Sequence, residues 1–104
     1  MFARSVSIHL KSNMLSDYTR TFENDTLPLL RQQKGFKDEI TLSNPGSLDA
    51  IAISLWDSKA NAEAYNTNAY PGVVRTLAGT IDGTPKVQTF EAVTSTFHKV
   101  AVAA

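Results

Sequence analysis

Apolar and polar residues alternate with a period of two at the start of the chain. Phe2, Val6, Ile8 and Leu10 interleave with Ala3, Ser5, Ser7 and His9, the pattern of a half-buried strand. From about Ser16, an acceptable N-cap, the period lengthens, and Leu15, Tyr18, Phe22, Leu29 and Leu30 fall near one helical stripe. Pro28 removes a backbone donor within that stripe, which predicts a kink or a restart. Gly35 suits the position just past a helix end, and Phe36 opens a second strand. That strand alternates Phe36, Ile40 and Leu42 with Lys37, Glu39 and Thr41, and Asn44-Pro45-Gly46-Ser47 predicts a turn after it.

The third strand, Asp49 to Trp56, carries Ile51, Ile53 and Leu55 on one face and Ala50, Ala52, Ser54 and Trp56 on the other. Asp57 or Ser58 is expected to cap a short helix running to about Asn66, and Pro71 begins a second helical piece. Gly79, Gly83 and Pro85 mark an exit loop. The stretch from Lys86 to Val102, rich in Val, Thr and Phe, predicts a long last strand.

The order β-α-β-β-α-β predicts a ferredoxin-like α+β fold, a four-stranded antiparallel sheet with the helices on one face, in one domain over residues 1–104. The sheet's second face then needs cover. It is expected to hold Ser7, His9, Thr41, Ala52, Ser54 and Trp56, a surface too apolar for water and too polar for a monomer core. A homodimer formed by isologous sheet packing meets that need. The strand over 86–102 is long enough, at about 3.3 Å per residue, to contact the partner subunit.

Composition narrows the chemistry. Ten basic residues balance ten acidic ones, so no net field holds a phosphate backbone and nucleic acid is not an expected partner. The absence of cysteine removes disulfides, thiolate metal sites and cysteine nucleophiles. No apolar run approaches the roughly 20 residues that span a bilayer, and the first residues already read as strand, so a cytoplasmic location away from membranes is expected. The two histidines, His9 and His98, lie far apart with no metal-ligand spacing, and the five glycines are scattered through turns. Neither a metal nor a phosphate-binding cofactor is expected.

The corner Leu29-Leu30-Arg31-Gln32-Gln33-Lys34-Gly35-Phe36, the junction Leu55-Trp56-Asp57-Ser58-Lys59-Ala60 and the broken helix before a long last strand resemble the antibiotic biosynthesis monooxygenase (ABM) domain family. The resemblance covers nearly the whole chain and implies a dimeric α+β barrel. It also implies a choice of activities, since the family includes cofactor-independent oxygenases of phenols, haem-degrading enzymes and isomerases. The phenol-oxidising branch places an asparagine four residues before the junction tryptophan and a tyrosine six after it. Trp56 matches, whereas those positions hold Ala52 and Ala62. The haem-degrading branch places an aromatic nine residues after the tryptophan and a histidine about ten beyond. Here these are Tyr65 and Arg75, and an arginine cannot ligate haem iron as a neutral donor, so haem degradation is disfavoured.

Six residues carry the candidate site. His9 is the general-base candidate, with a histidine at a dimer interface as its plainer reading. Tyr65 and Arg75 are the donor or anion-clamp candidates. Phe22, Trp56 and Tyr70 are expected to line a pocket, although a strand-end tryptophan also serves as a packing anchor. His98 is expected to be exposed or interfacial on the long last strand, and Asp38 and Glu39 to be surface charges. Two readings follow: a cofactor-independent monooxygenase or isomerase of a small aromatic or carbonyl compound, or a non-catalytic dimeric ligand-binding or stress-associated protein. An open, polar-tipped cleft favours the first and a cleft filled by side chains the second.

Overall fold

The computed structural model describes residues 1–100. Strand β1 (Phe2–Leu10) leads into α1 (Leu15–Thr21), a π-helical turn (Phe22–Thr26) and α2 (Leu27–Arg31). Strands β2 (Phe36–Ser43) and β3 (Asp49–Trp56) follow, then α3 (Lys59–Asn68), α4 (Tyr70–Leu77), a 3-10 turn (Ala78–Thr80) and β4 (Ile81–Glu91). The strands form one antiparallel sheet in the order β2-β3-β1-β4, the arrangement expected from the alternation pattern. No helix among the described residues is long and apolar enough to cross a membrane.

The interruption expected near Pro28 is a widened turn just before it. The Leu27 amide donates to the Phe22 carbonyl, five residues back, and the chain re-enters α-helix with proline in its first turn. Proline can donate no bond to a carbonyl four residues earlier, so the helix restarts where that loss is harmless. Gly35 has φ of +82°, and a Cβ there would collide with Asp57 Oδ1 and with the side chain of Asn61. Both the backbone conformation and the close approach of β3's end therefore require glycine. At the start of α3, Ser58 accepts the Asn61 amide at 3.2 Å, and Asp57 accepts Asn61 Nδ2 at 2.7 Å.

The core lies between the sheet and the helices. Ile8, Leu10, Tyr18, Leu30, Trp56, Tyr65, Val73 and Leu77 are all buried there. This reverses the expected facing of β3. Ala50, Ser54 and Trp56 point to the helices, whereas Ile51, Ile53 and Leu55 lie on the opposite, helix-free face. Thr41 and Ala52 also belong to the helix side, and only Ser7 and His9 of the residues expected on the open face are found on it. Both parities of β3 are rich in apolar residues, so alternation alone could not orient it. A bulge between Phe36 and Asp38 also shifts the phase of β2, which puts Ile40 and Leu42 outward.

The expected last strand is displaced as well. β4 begins at Ile81, five residues early, with a register shift between Ser7 and His9 that absorbs Gly83 and Pro85 on this edge strand. It ends at Glu91, and residues 92–100 form no strand; residues 101 and 102 of the predicted 86–102 strand lie outside the described residues. After Ser95 the chain crosses the open face. Phe97 there borders a hollow with Asp38, Ile40, Ile53 and Leu55, and His98 Nε2 pairs with Asp38. His98 is thus on a returning segment rather than on an extended strand.

Candidate functional site

Period-two geometry puts Arg4 on the same side of β1 as Val6, Ile8 and Leu10, beneath the helices. On β2, the bulge puts Glu39 and Thr41 on that side too, while Asp38 faces outward. These strands, α1 with its π turn, and the α3–α4 pair enclose a cavity of about 40 Å³. Its walls are apolar where Val6, Ile8, Leu30, Val73 and Leu77 meet it, and polar where Arg4, Thr26, Glu39, Ser54, Tyr65 and Tyr70 do.

Arg4 is 3% exposed. Its guanidinium donates to Asn66 Oδ1 at 2.8 Å and lies over the rings of Tyr65 and Tyr70, 5.0 Å and 4.5 Å from their centroids. Burial lowers its pKa, opposed by the two tyrosines. Thr26 Oγ1, with its residue 2% exposed, is buried without a hydrogen-bond partner. Glu39 is half-buried. Burial raises the pKa of its carboxyl, and the hydrogen bond it accepts from Thr41 Oγ1 at 2.5 Å partly opposes the rise.

Burial pushes the Tyr65 hydroxyl up to about 12, with Arg4 pulling the other way and Tyr70 and Glu39 adding to the rise. Tyr18 is driven still higher, by burial first and then by Glu39, and burial raises Tyr70 against Arg4. At neutral pH all three phenols therefore keep their protons.

Of the six residues expected to form the site, the cavity gathers Phe22, Tyr65 and Tyr70. Trp56 is fully buried and supports the wall from behind. Its ring packs against Phe36 at 5.6 Å and Tyr65 at 5.0 Å, and its indole N–H donates to Ser54 Oγ at 2.9 Å. A chain of aromatic contacts thus runs from Phe36 through Trp56 and Tyr65 to Tyr70, whose ring lies 6.1 Å from that of Tyr65. His9 lies elsewhere, on the open face, with its side chain 52% exposed and Nδ1 2.9 Å from Asp49 Oδ1. Arg75 is exposed on α4 and does not border the cavity.

Arg4 and Glu39 border the cavity and are not among the residues expected there from the sequence. Arg4 carried a usable signal, since it is a charge in the same parity as four apolar residues of β1, Phe2, Val6, Ile8 and Leu10. Glu39 carried none, because the bulge that turns it inward is invisible in the alternation of β2.

The cleft is therefore polar-tipped and largely filled. Tyr18, Phe22 and Glu39 also form one wall of an outer groove of about 330 Å³ between α1 and β2. The inner cavity alone is well below the roughly 300–1,000 Å³ of typical small-molecule sites, so a ligand larger than a few atoms requires this shared wall to move.

No family model matches the chain, and no curated protein matches it. Solved structures do. A protein of unknown function from Nitrosomonas europaea superposes with a TM-score of 0.77 at 14% identity, over 95% of each chain. SnoaB, a cofactor-independent oxygenase from Streptomyces nogalater, superposes with a TM-score of 0.75 at 12% identity, over 91% of this chain and 95% of that one. A structure described as an antibiotic biosynthesis monooxygenase superposes with a TM-score of 0.71 at 12% identity, over 90% of this chain and all of the other. At such identities the likeness is one of fold, and that fold is the one shared by structures described as antibiotic biosynthesis monooxygenases.

Proposed function

We propose that the cavity between sheet and helices binds a small aromatic or carbonyl compound and that the protein oxygenates it without a cofactor. The observation that carries this reading is the convergence of Glu39, Arg4 and protonated tyrosines on an otherwise apolar enclosure. Glu39 has the property a general base needs, a proton affinity raised toward the working pH by burial. It would accept a proton from an activated C–H or a phenolic O–H of the ligand. The resulting anion gives its electrons to dioxygen with formation of a C–O bond. Glu39 then returns its proton to the peroxide, and loss of water leaves a ketone or quinone. The tyrosine hydroxyls and Arg4 would stabilise the oxyanions along that path. Ala52 and Ala62 stand where the phenol-oxidising branch of the ABM family places its asparagine and tyrosine, so these groups would have to supply the polar contacts.

The protein would work as a homodimer. Ile40, Leu42, Ile51 and Phe90 are exposed on or beside the open face, and the returning segment at Phe97 covers only the end near Asp38 and Leu55. A second copy would bury the remainder.

The cavity is small and largely filled, the outcome expected of the second reading, a binding protein without turnover, whereas the polar groups converging on it favour the first. Oxygen uptake by the purified protein with hydroquinones, anthrones and small aldehydes separates the two. Uptake above the uncatalysed rate with at least one compound is the expected result. Saturable binding of the same compounds without uptake would favour the binding protein.

A further inference from the structure

We propose that the ligand carries an anionic group, a carboxylate separate from the C–H or O–H that Glu39 deprotonates, and that Arg4 is the residue that binds it. The proposal rests on the cavity being the ligand site and names the chemical class that site selects.

A buried guanidinium without a counter-charge is unfavourable, and proteins retain such groups where something charged visits them. The ion pairs among the described residues do not include Arg4, so no carboxylate lies within 4 Å of it. Its contacts leave donors free. The guanidinium has five N–H groups, and Asn66 Oδ1 is the one hydrogen-bond acceptor it has among the described residues. Tyr65 and Tyr70 engage it through their rings, which consume no N–H group. A planar fork held by two aromatic rings is pre-organised for an acceptor with two oxygens.

Three further observations agree. Thr26 Oγ1 borders the same cavity and is buried with no partner, so the enclosure holds a second polar group awaiting one. The volume of about 40 Å³ admits a group of a few heavy atoms, since about 10–15 Å³ on this measure holds one water. A carboxylate therefore fits before any wall moves. Arg4 also sits mid-strand on β1, hydrogen-bonded between β3 and β4, so its backbone cannot drift.

The test uses two matched pairs of probes, acetate against acetamide and benzoate against benzamide. Each is titrated into the wild-type protein while the Arg4 Nε–H resonance is followed by NMR. The chain has four arginines, Arg4, Arg20, Arg31 and Arg75, and the signal lost in Arg4→Lys assigns the one of interest. The expected result is at least tenfold tighter binding of benzoate than of benzamide, with the Arg4 resonance moving in step with saturation. Arg4→Met should abolish that preference and melt at or above the wild-type temperature, because it removes an uncompensated buried charge. Arg4→Lys should keep part of the preference.

Equal affinity for the charged and neutral probes in the wild-type protein would overturn the proposal while leaving the cavity a ligand site. A preference that survives in Arg4→Met would overturn it as well. Arg4→Met melting well below wild type, with no anion preference in the parent, would assign Arg4 to packing alone. If neither probe of either pair binds, or if the shifts fall on residues away from the cavity, the cavity reading fails too. The wild-type comparison decides the matter even where a variant does not fold.

Discussion

Glu39 shows how one residue's surroundings set its chemistry. Burial raises its proton affinity, and Thr41 offsets only part of the effect. Between the usual carboxylate range and its raised value, the folded protein holds a proton that the unfolded chain has lost. Stability attributable to Glu39 is therefore present at low pH and falls as pH rises through that window. Asp49 and Asp57 act in the opposite sense. Hydrogen bonds, chiefly from His9 and Asn61 respectively, lower their pKa values, so their contribution is lost on acidification. Comparing urea melts of wild type and Glu39→Gln from pH 4 to 8 isolates the Glu39 part. The two should converge at the acid end, and the variant should be the more stable at neutral pH.

Trp56 is the opposite case, a fully buried residue held by ring packing against Phe36 and Tyr65 and one hydrogen bond to Ser54. Trp56→Ala should cost about 3–5 kcal/mol in a denaturant melt, because it empties a fully buried site. It should also free Tyr65 to tilt. Trp56 was legible as a marker of where the cavity lies, and its two readings could not be separated without knowing which face of β3 meets the helices. His9 lies away from the cavity for a related reason. It is the residue type best suited to base chemistry in the first strand, yet its parity places it beside Asp49 on the sheet's far side.

Among the elements, the π turn from Phe22 to Thr26 stands out, because it contributes two cavity residues and adjoins the outer groove. A π turn is held by less favourable hydrogen bonds than an α-helix. Amide exchange across residues 22–27 should accordingly be faster than across β1 and β3, and ligand binding should slow it. Uniform protection along this segment, unchanged by ligand, would argue against movement of the shared wall.

The order of elements, the Gly35 corner, the Ser58 cap and the α3–α4 break were all readable from turn chemistry and periodicity. What alternation could not supply was phase. The Phe36/Asp38 bulge inverts β2, and two apolar parities leave β3 ambiguous. The last strand was misplaced because Gly83 and Pro85 suggest a loop, whereas an unpaired edge tolerates both within β4.

At the scale of the whole molecule, the sheet exposes an apolar face that the helices do not cover. Leu42 is half exposed there, and Phe90 lies at the other edge. In dimeric form the protein should sediment at micromolar concentration as a species of twice the 11.3 kDa chain mass. Leu42→Asp should shift it toward the single chain, since a charge buried in the seam has no counter-charge to meet. Sedimentation of the wild type at the mass of one chain would refute the dimer. The cavity lies on the other side of the sheet, so monomeric Leu42→Asp should still bind the acidic probes.

The two faces of the sheet also offer two sites for the chemistry, and kinetics can choose between them. Once a turned-over compound is in hand, kcat/KM for Glu39→Gln and His9→Ala should be measured side by side by oxygen uptake. With the base inside the cavity, Glu39→Gln should lose about 10²–10⁴-fold, while His9→Ala stays within about twofold of wild type. Loss of turnover in His9→Ala with Glu39→Gln unaffected would contradict the account and move the site to the open face.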